Sequence, residues 1–138
     1  MANLSNYTED LIATWLAGGA IAQLPTTLFL DLYSTMPDRE AGTGGTSVIS
    51  NLITGSTRLS LNNTANAFFV KSGSTIKNNE ILITASASNS VNGIVGFAIW
   101  TLATGGAMLY SGNTTASTNV SAGQSIRFAP DAMVLTID

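Results

Sequence analysis

Apolar and polar positions sort this chain into many short strand-like runs and a single helical one. The dominant stretch runs from Gly93 to Gly112, GIVGFAIWTLATGGAMLYSG, as two apolar segments joined by Ala103-Thr104-Gly105-Gly106. A Gly-Gly pair between aromatic-rich apolar runs predicts a β-hairpin, because tight hairpin turns need residues that accept positive φ cheaply. At period two, Val95, Phe97, Ile99 and Thr101 share one face, with Ile94, Ala98, Trp100 and Leu102 mostly on the other. Both faces are apolar, so the hairpin belongs deep in a sheet, buried on its two sides.

Near the start, Asn6 and Glu9 have capping-box spacing, and Tyr7, Leu11, Ile12, Trp15 and Leu16 recur at helical intervals before Gly18-Gly19. This predicts an amphipathic helix over about 6–17, preceded by a short N-terminal arm. Its apolar stripe either docks on a partner or, the preferred reading, covers an open end of the sheet core; Trp15, like Trp100, is expected inside. Strands are expected over 27–33, 48–53, 57–61, 67–70, 81–84, 125–128 and 133–137, with a turn at 76–80. Loops are expected at 36–47 and 86–92, and polar chain at 113–119. About eight strands in one domain spanning 1–138, with one N-terminal helix, predict a mainly β protein: an antiparallel β-sandwich of the jelly-roll kind.

Composition changes this picture in one respect. Only 9% of residues are charged, against about 25% in average proteins, while 45 of the 138 are Ser, Thr or Asn. Such a surface loses little side-chain entropy on burial and suits a protein packed against neighbours. The five cations are scattered, so no basic stripe is available for nucleic acid. The longest apolar run is too short for a bilayer helix, which needs about 20 residues. The N-terminus lacks the basic region and apolar core of a secretory leader, so a soluble, cytoplasmically made protein is expected.

The absence of His and Cys removes the usual general base, the thiol nucleophile and most transition-metal sites. Gly42-Thr43-Gly44-Gly45-Thr46 lacks the Lys-Ser/Thr ending of a phosphate loop. Paired carboxylates could still serve a glycosidase, but the acids are dispersed along the chain. Asp31, alone in an apolar strand, reads as a hydrogen-bond partner for a loop or as an edge residue. No catalytic residue, cofactor or metal is expected. The 36–47 loop carries Asp38, Arg39 and Glu40, a candidate contact surface on a nearly uncharged protein.

The chain also resembles a family of small tailed-phage structural proteins, often labelled tail-fibre-like, whose members include capsid cement proteins. The similarity rests on Gly18-Gly19, on Pro25 to Thr35 with Pro37, and on Gly42-Thr43-Gly44-Gly45. It is clearest in Val95-Gly96-Phe97-Ala98-Ile99-Trp100, Thr104-Gly105-Gly106-Ala107-Met108-Leu109-Tyr110-Ser111-Gly112, Val120 to Phe128 and Val134 to Asp138. Where the family carries Gly-Tyr-Ala-Arg, this chain has Gly55-Ser56-Thr57-Arg58. The resemblance implies a non-enzymatic jelly-roll protein on the outer capsid surface of a virion, bridging major capsid protein subunits and associating as a dimer or trimer. A tail- or fibre-associated or receptor-binding structural protein is the alternative. Contacts are expected at Ala2, Asn3, Leu4, Ser5 and Asn6 and at Asp38, Arg39 and Glu40, with neither nucleic acid nor membrane as a partner.

Overall fold

The computed structural model describes residues 3–21, 23, 25–62 and 68–136. A two-residue strand β1 (Asn3–Leu4) leads into helix α1 (Asn6–Leu16), followed by β2 (Thr27–Thr35), β3 (Thr46–Ser47) and a short helix α2 (Ile49–Leu52). Then come β4 (Leu59–Asn62), β5 (Phe69–Ser72), β6 (Thr75–Asn78), β7 (Ile81–Ser86), β8 (Val91–Trp100), β9 (Met108–Val120), β10 (Ser125–Phe128) and β11 (Val134–Thr136). All pairings are antiparallel. The order β1-β9-β8-β2-β3, with β4 also on β2, forms the large sheet; β10-β7 and β11-β6-β5 form two smaller ones. The expected β-sandwich with one N-terminal helix is what the chain builds.

The β8–β9 hairpin is central, as expected. Phe97 pairs with Gly112 and Ile99 with Tyr110 on one side of β8, and with Leu32 and Leu30 of β2 on the other. Leu30, Leu32, Phe97 and Ile99 are fully buried between the sheets, with Ile81, Ile126, Phe128, Met133 and Leu135 from the opposing layer. Burying one such side chain contributes about 1.5–3 kcal/mol. Tyr110 meets Phe97 and Phe69 edge to face, at centroid distances of 6.2 and 6.1 Å, and so links two sheets. On the outer face of β8, Ala98 and Trp100 join Tyr33 and Met108 in a second cluster, flanked by Phe29 and Met36. This explains a hairpin apolar on both faces.

Several elements depart from expectation for identifiable reasons. The strict alternation along β8 fails at Ile94, which lies in the main core with Phe97 and Ile99. Register shifts between Val91 and Ile94 and between Ile94 and Gly96 reset the alternation. Val48 to Ile53 is not a strand: Ile49–Leu52 makes one helical turn, which puts both end residues into the core. The turn expected at 76–80 is largely strand β6, because the reversal falls earlier, at Gly73 with φ 61°. Polar residues 113–119 continue β9, pairing Thr118 with Ile94 while their side chains face mainly solvent. The expected strand positions Ala67 and Ile137 lie outside the described residues.

Helix α1 is the largest departure. Its N-cap is Ser5 rather than Asn6, and none of its residues is buried. Trp15, expected in the core, is 60% exposed. The stripe does not seal the sandwich, because the core is already filled by sheet residues with Ile49 and Leu52 of α2.

Candidate functional site

Hydrogen bonding to β9, more than apolar packing, secures the N-terminal segment. Asn3 and Leu4 pair with Ser111 and Tyr110. Ser5, almost fully buried, donates its N–H to the Leu109 carbonyl at 3.0 Å, and its hydroxyl faces the Met108 carbonyl. The same hydroxyl oxygen accepts from the Thr8 N–H, and Thr8 Oγ1 donates to the Leu109 carbonyl at 2.7 Å. The cap and the first helical turn are therefore fastened to the central hairpin, while Asn6 beside them is exposed.

The charged loop is ordered by Asp38. Its carboxylate Oδ1 accepts from the Glu40 and Ala41 N–H groups at 2.8 and 3.2 Å, and its backbone closes the turn with Gly42 and Thr43. Arg39 and Glu40 pair at 3.1 Å in solvent, an arrangement worth about 0–1 kcal/mol. Gly42, at φ 66°, lies against Trp100: a β-carbon there would stand 3.1 Å from the indole. The loop is thereby seated on the outer face of β8.

The two segments expected to make contacts are brought together. Ser5, Tyr7, Arg39 and Glu40 line one cleft of about 200 Å³, floored by Trp100 and Met108. Leu4 is turned elsewhere, into an apolar groove of about 350 Å³ with Ile12, Phe69, Ile76 and Leu135. Ser5 is committed to internal hydrogen bonds, which leaves Tyr7, Arg39 and Glu40 as the outward-facing members of the cleft, while Asn6 and Asp38 are exposed outside its lining. Ala2 lies outside the described residues. Sequence reasoning missed Tyr7 as a cleft residue, since its helical spacing assigned it to the stripe.

Beside the cleft, Asp31 organises a buried polar cluster. It accepts from the Leu32 N–H at 2.9 Å, the Tyr33 hydroxyl at 2.9 Å and the Ser47 hydroxyl at 2.5 Å, and its Oδ2 lies 3.6 Å from Arg58 Nε. Arg58 also donates through Nη1 to the carbonyls of Leu102 and Gly105, at 2.8 and 2.6 Å, which ties the hairpin loop to the sheet. Burial, reinforced by the Asp31 carboxylate, pushes the Tyr33 phenol far above its ordinary range. Asp31 is thus a structural hydrogen-bond centre, with Ser47 at the loop end as one partner.

Among the described residues, no group of three or more His, Cys, Asp or Glu side chains could hold a metal ion. No helix among them is long and apolar enough to cross a membrane. The profile of the podophage GP4 fiber I protein gp80 family matches residues 3–136. The chain belongs to this family. It is a phage structural protein of a fibre-related kind, in agreement with the tailed-phage resemblance at that level. No curated protein matches the chain.

Proposed function

We propose that this gp80-family protein is a non-enzymatic building block of the virion exterior, acting through protein–protein contacts alone. The observation that carries this reading is the exposed apolar face of α1, held on a rigid sandwich by Ser5 and Thr8. An apolar face retained on a folded domain suits an interface better than free solvent. The acids support a non-catalytic role: Asp31 is buried in an ion pair, Asp38 holds a turn, and Glu40, Glu80 and Asp131 pair with neighbouring cations.

Two placements on the particle are distinguishable. The family match favours a fibre-associated component, in which the sandwich packs beside other subunits of a tail appendage. The tail-fibre-like resemblance with cement members favours the outer capsid surface, where the protein would bridge major capsid protein subunits and stabilise the expanded head. Binding only the expanded state would stabilise it by mass action, and many copies would multiply weak contacts.

Separating virions into heads and tails and quantifying this polypeptide against the major capsid protein decides between them. A few copies travelling with tails are expected for the fibre placement. Near one-to-one stoichiometry in heads would sink it and establish the cement role. Absence from both fractions would overturn the virion reading altogether.

A further inference from the structure

The far end of the β8–β9 ladder carries a bulge. Val91 pairs with Val120 and Ile94 with Thr118, so Asn92 and Gly93 of β8 stand opposite Asn119 alone. Gly93 takes φ 72°, and its N–H is donated to the side chain of Asn119, whose Oδ1 accepts it at 2.8 Å. A bulge takes a backbone group out of its ladder pairing, and Asn119 supplies the acceptor. Asn92 and Asn119 are both exposed.

Asn92-Gly93 is the one Asn-Gly step in the sequence. In such a step the backbone nitrogen after the asparagine can attack the side-chain amide carbon, because glycine has no β-carbon to hinder the approach. A β-carbon on Gly93 would meet nothing within 4 Å, so the main chain here lies open. Among the described residues, nothing hydrogen-bonds the Asn92 side chain. An accessible amide carbon thus sits beside a backbone nitrogen that one hydrogen bond restrains.

We propose that Asn92 is a site of spontaneous deamidation, and that Asn119 is the latch that slows it. The Gly93 nitrogen gives its proton to solvent base and bonds to Asn92 Cγ. The bond from Cγ to the side-chain nitrogen breaks, and that nitrogen takes a proton from water and leaves as ammonia. Water then opens the cyclic imide at either carbonyl, giving aspartate or isoaspartate with no change in oxidation state. The first step needs a nitrogen free of its proton and free to turn toward Asn92, and the bond to Asn119 opposes both. Either product adds one negative charge to a chain of net charge −3. Isoaspartate also adds a methylene to the main chain of β8, two residues before the fully buried Ile94. The change is slow, one-way and confined to this end of the hairpin, wherever the protein sits on the virion.

Incubating the purified full chain in mildly alkaline buffer and mapping its peptides by mass spectrometry tests this. Conversion at Asn92 is expected to be slower in the folded protein than in the same chain in urea. Asn119→Ala should speed it about fivefold, the equivalent of one hydrogen bond. Asn119→Asp keeps an acceptor and should stay near the wild-type rate. Asn92→Gln should remove the signal, because ring closure through the longer side chain is far slower. Asn119 is exposed, so far-UV circular dichroism of its variants should stay that of the wild type. An Asn119→Ala protein that converts at the wild-type rate overturns the latch. So does one in which Asn89 and Asn113 speed up equally, since that marks general unfolding. Absence of conversion at Asn92 in the wild type, in Asn119→Ala and in urea overturns the site itself.

Discussion

The Arg58 guanidinium carbon lies 3.6 Å from the centroid of the Trp100 ring, with its Nε 3.6 Å from the buried Asp31 carboxylate. One cation thus covers an aromatic face, offsets a buried charge and holds two carbonyls of the hairpin loop. Arg58→Met should destabilise the fold by about 3–5 kcal/mol, because it strands Asp31 without its cation and leaves the Leu102 and Gly105 carbonyls without a donor. Arg58→Lys should recover only part of this, since an ammonium lacks the planar fork that serves all three partners. Urea unfolding followed by circular dichroism measures both; an unchanged midpoint for Arg58→Met would remove the cluster from the account of stability.

Alkaline pH should expose the buried tyrosines. Burial raises the Tyr33 and Tyr110 phenols well above the unfolded value, with Asp31 adding to the shift at Tyr33. A raised folded-state value means that the folded protein holds the proton more tightly. The associated stability is fully present below about pH 10, the unfolded tyrosine value, and is lost as pH rises further through the folded values. The thermal midpoint should therefore fall with a steepening slope above about pH 10, and Tyr110→Phe should shallow that slope. A slope unchanged in Tyr110→Phe would contradict the assignment for Tyr110.

Gly96 marks the tightest approach on β8. A β-carbon there would lie 2.9 Å from the Gly112 carbonyl and closer still to the Met36 sulfur. Met36 can swing aside, but the paired backbone of β9 cannot. Gly96→Ala should cost about 1–3 kcal/mol, and Gly96→Ala combined with Met36→Ala should remain destabilised because the backbone contact persists. Chemical denaturation of the two variants checks the order.

Ser5 should matter locally more than globally. Ser5→Ala removes the helix cap and leaves the Met108 carbonyl without its hydroxyl, at a cost of about 1 kcal/mol. Amide hydrogen exchange should accelerate across α1 while the β8 and β9 amides keep their protection. Uniform acceleration across both would show that α1 and the hairpin open as one unit.

The hairpin was legible in the sequence because its evidence is local: two apolar runs, a Gly-Gly turn and period-two burial on both faces. The same holds for the helical periodicity of α1 and for Asp31, whose isolation in an apolar strand pointed to a hydrogen-bond partner for a loop or an edge position, the first of which the structure bears out. Legibility ended where one residue changes a register. The bulges around Gly93 and Ile94, with Gly93 at φ 72°, move Ile94 to the Phe97 face, and period counting passes over them. The polar residues 113–119 concealed the far half of β9 for a related reason. A strand with one wet face can be held by backbone pairing without an apolar signature.

The sequence by itself determined an antiparallel sandwich built on residues 93–112, a surface poor in charge, and the lack of His and Cys chemistry. Only the tertiary structure decided what the α1 stripe faces. Helical periodicity records that one side of a helix is apolar, but whether that side meets the protein's own core depends on how full the core already is. Here sheet side chains with Ile49 and Leu52 fill it, and the hydrogen bonds of Ser5 and Thr8 hold the helix across β9. The apolar face is left exposed because the position of the helix is set by long-range packing and pairing, which no local pattern encodes.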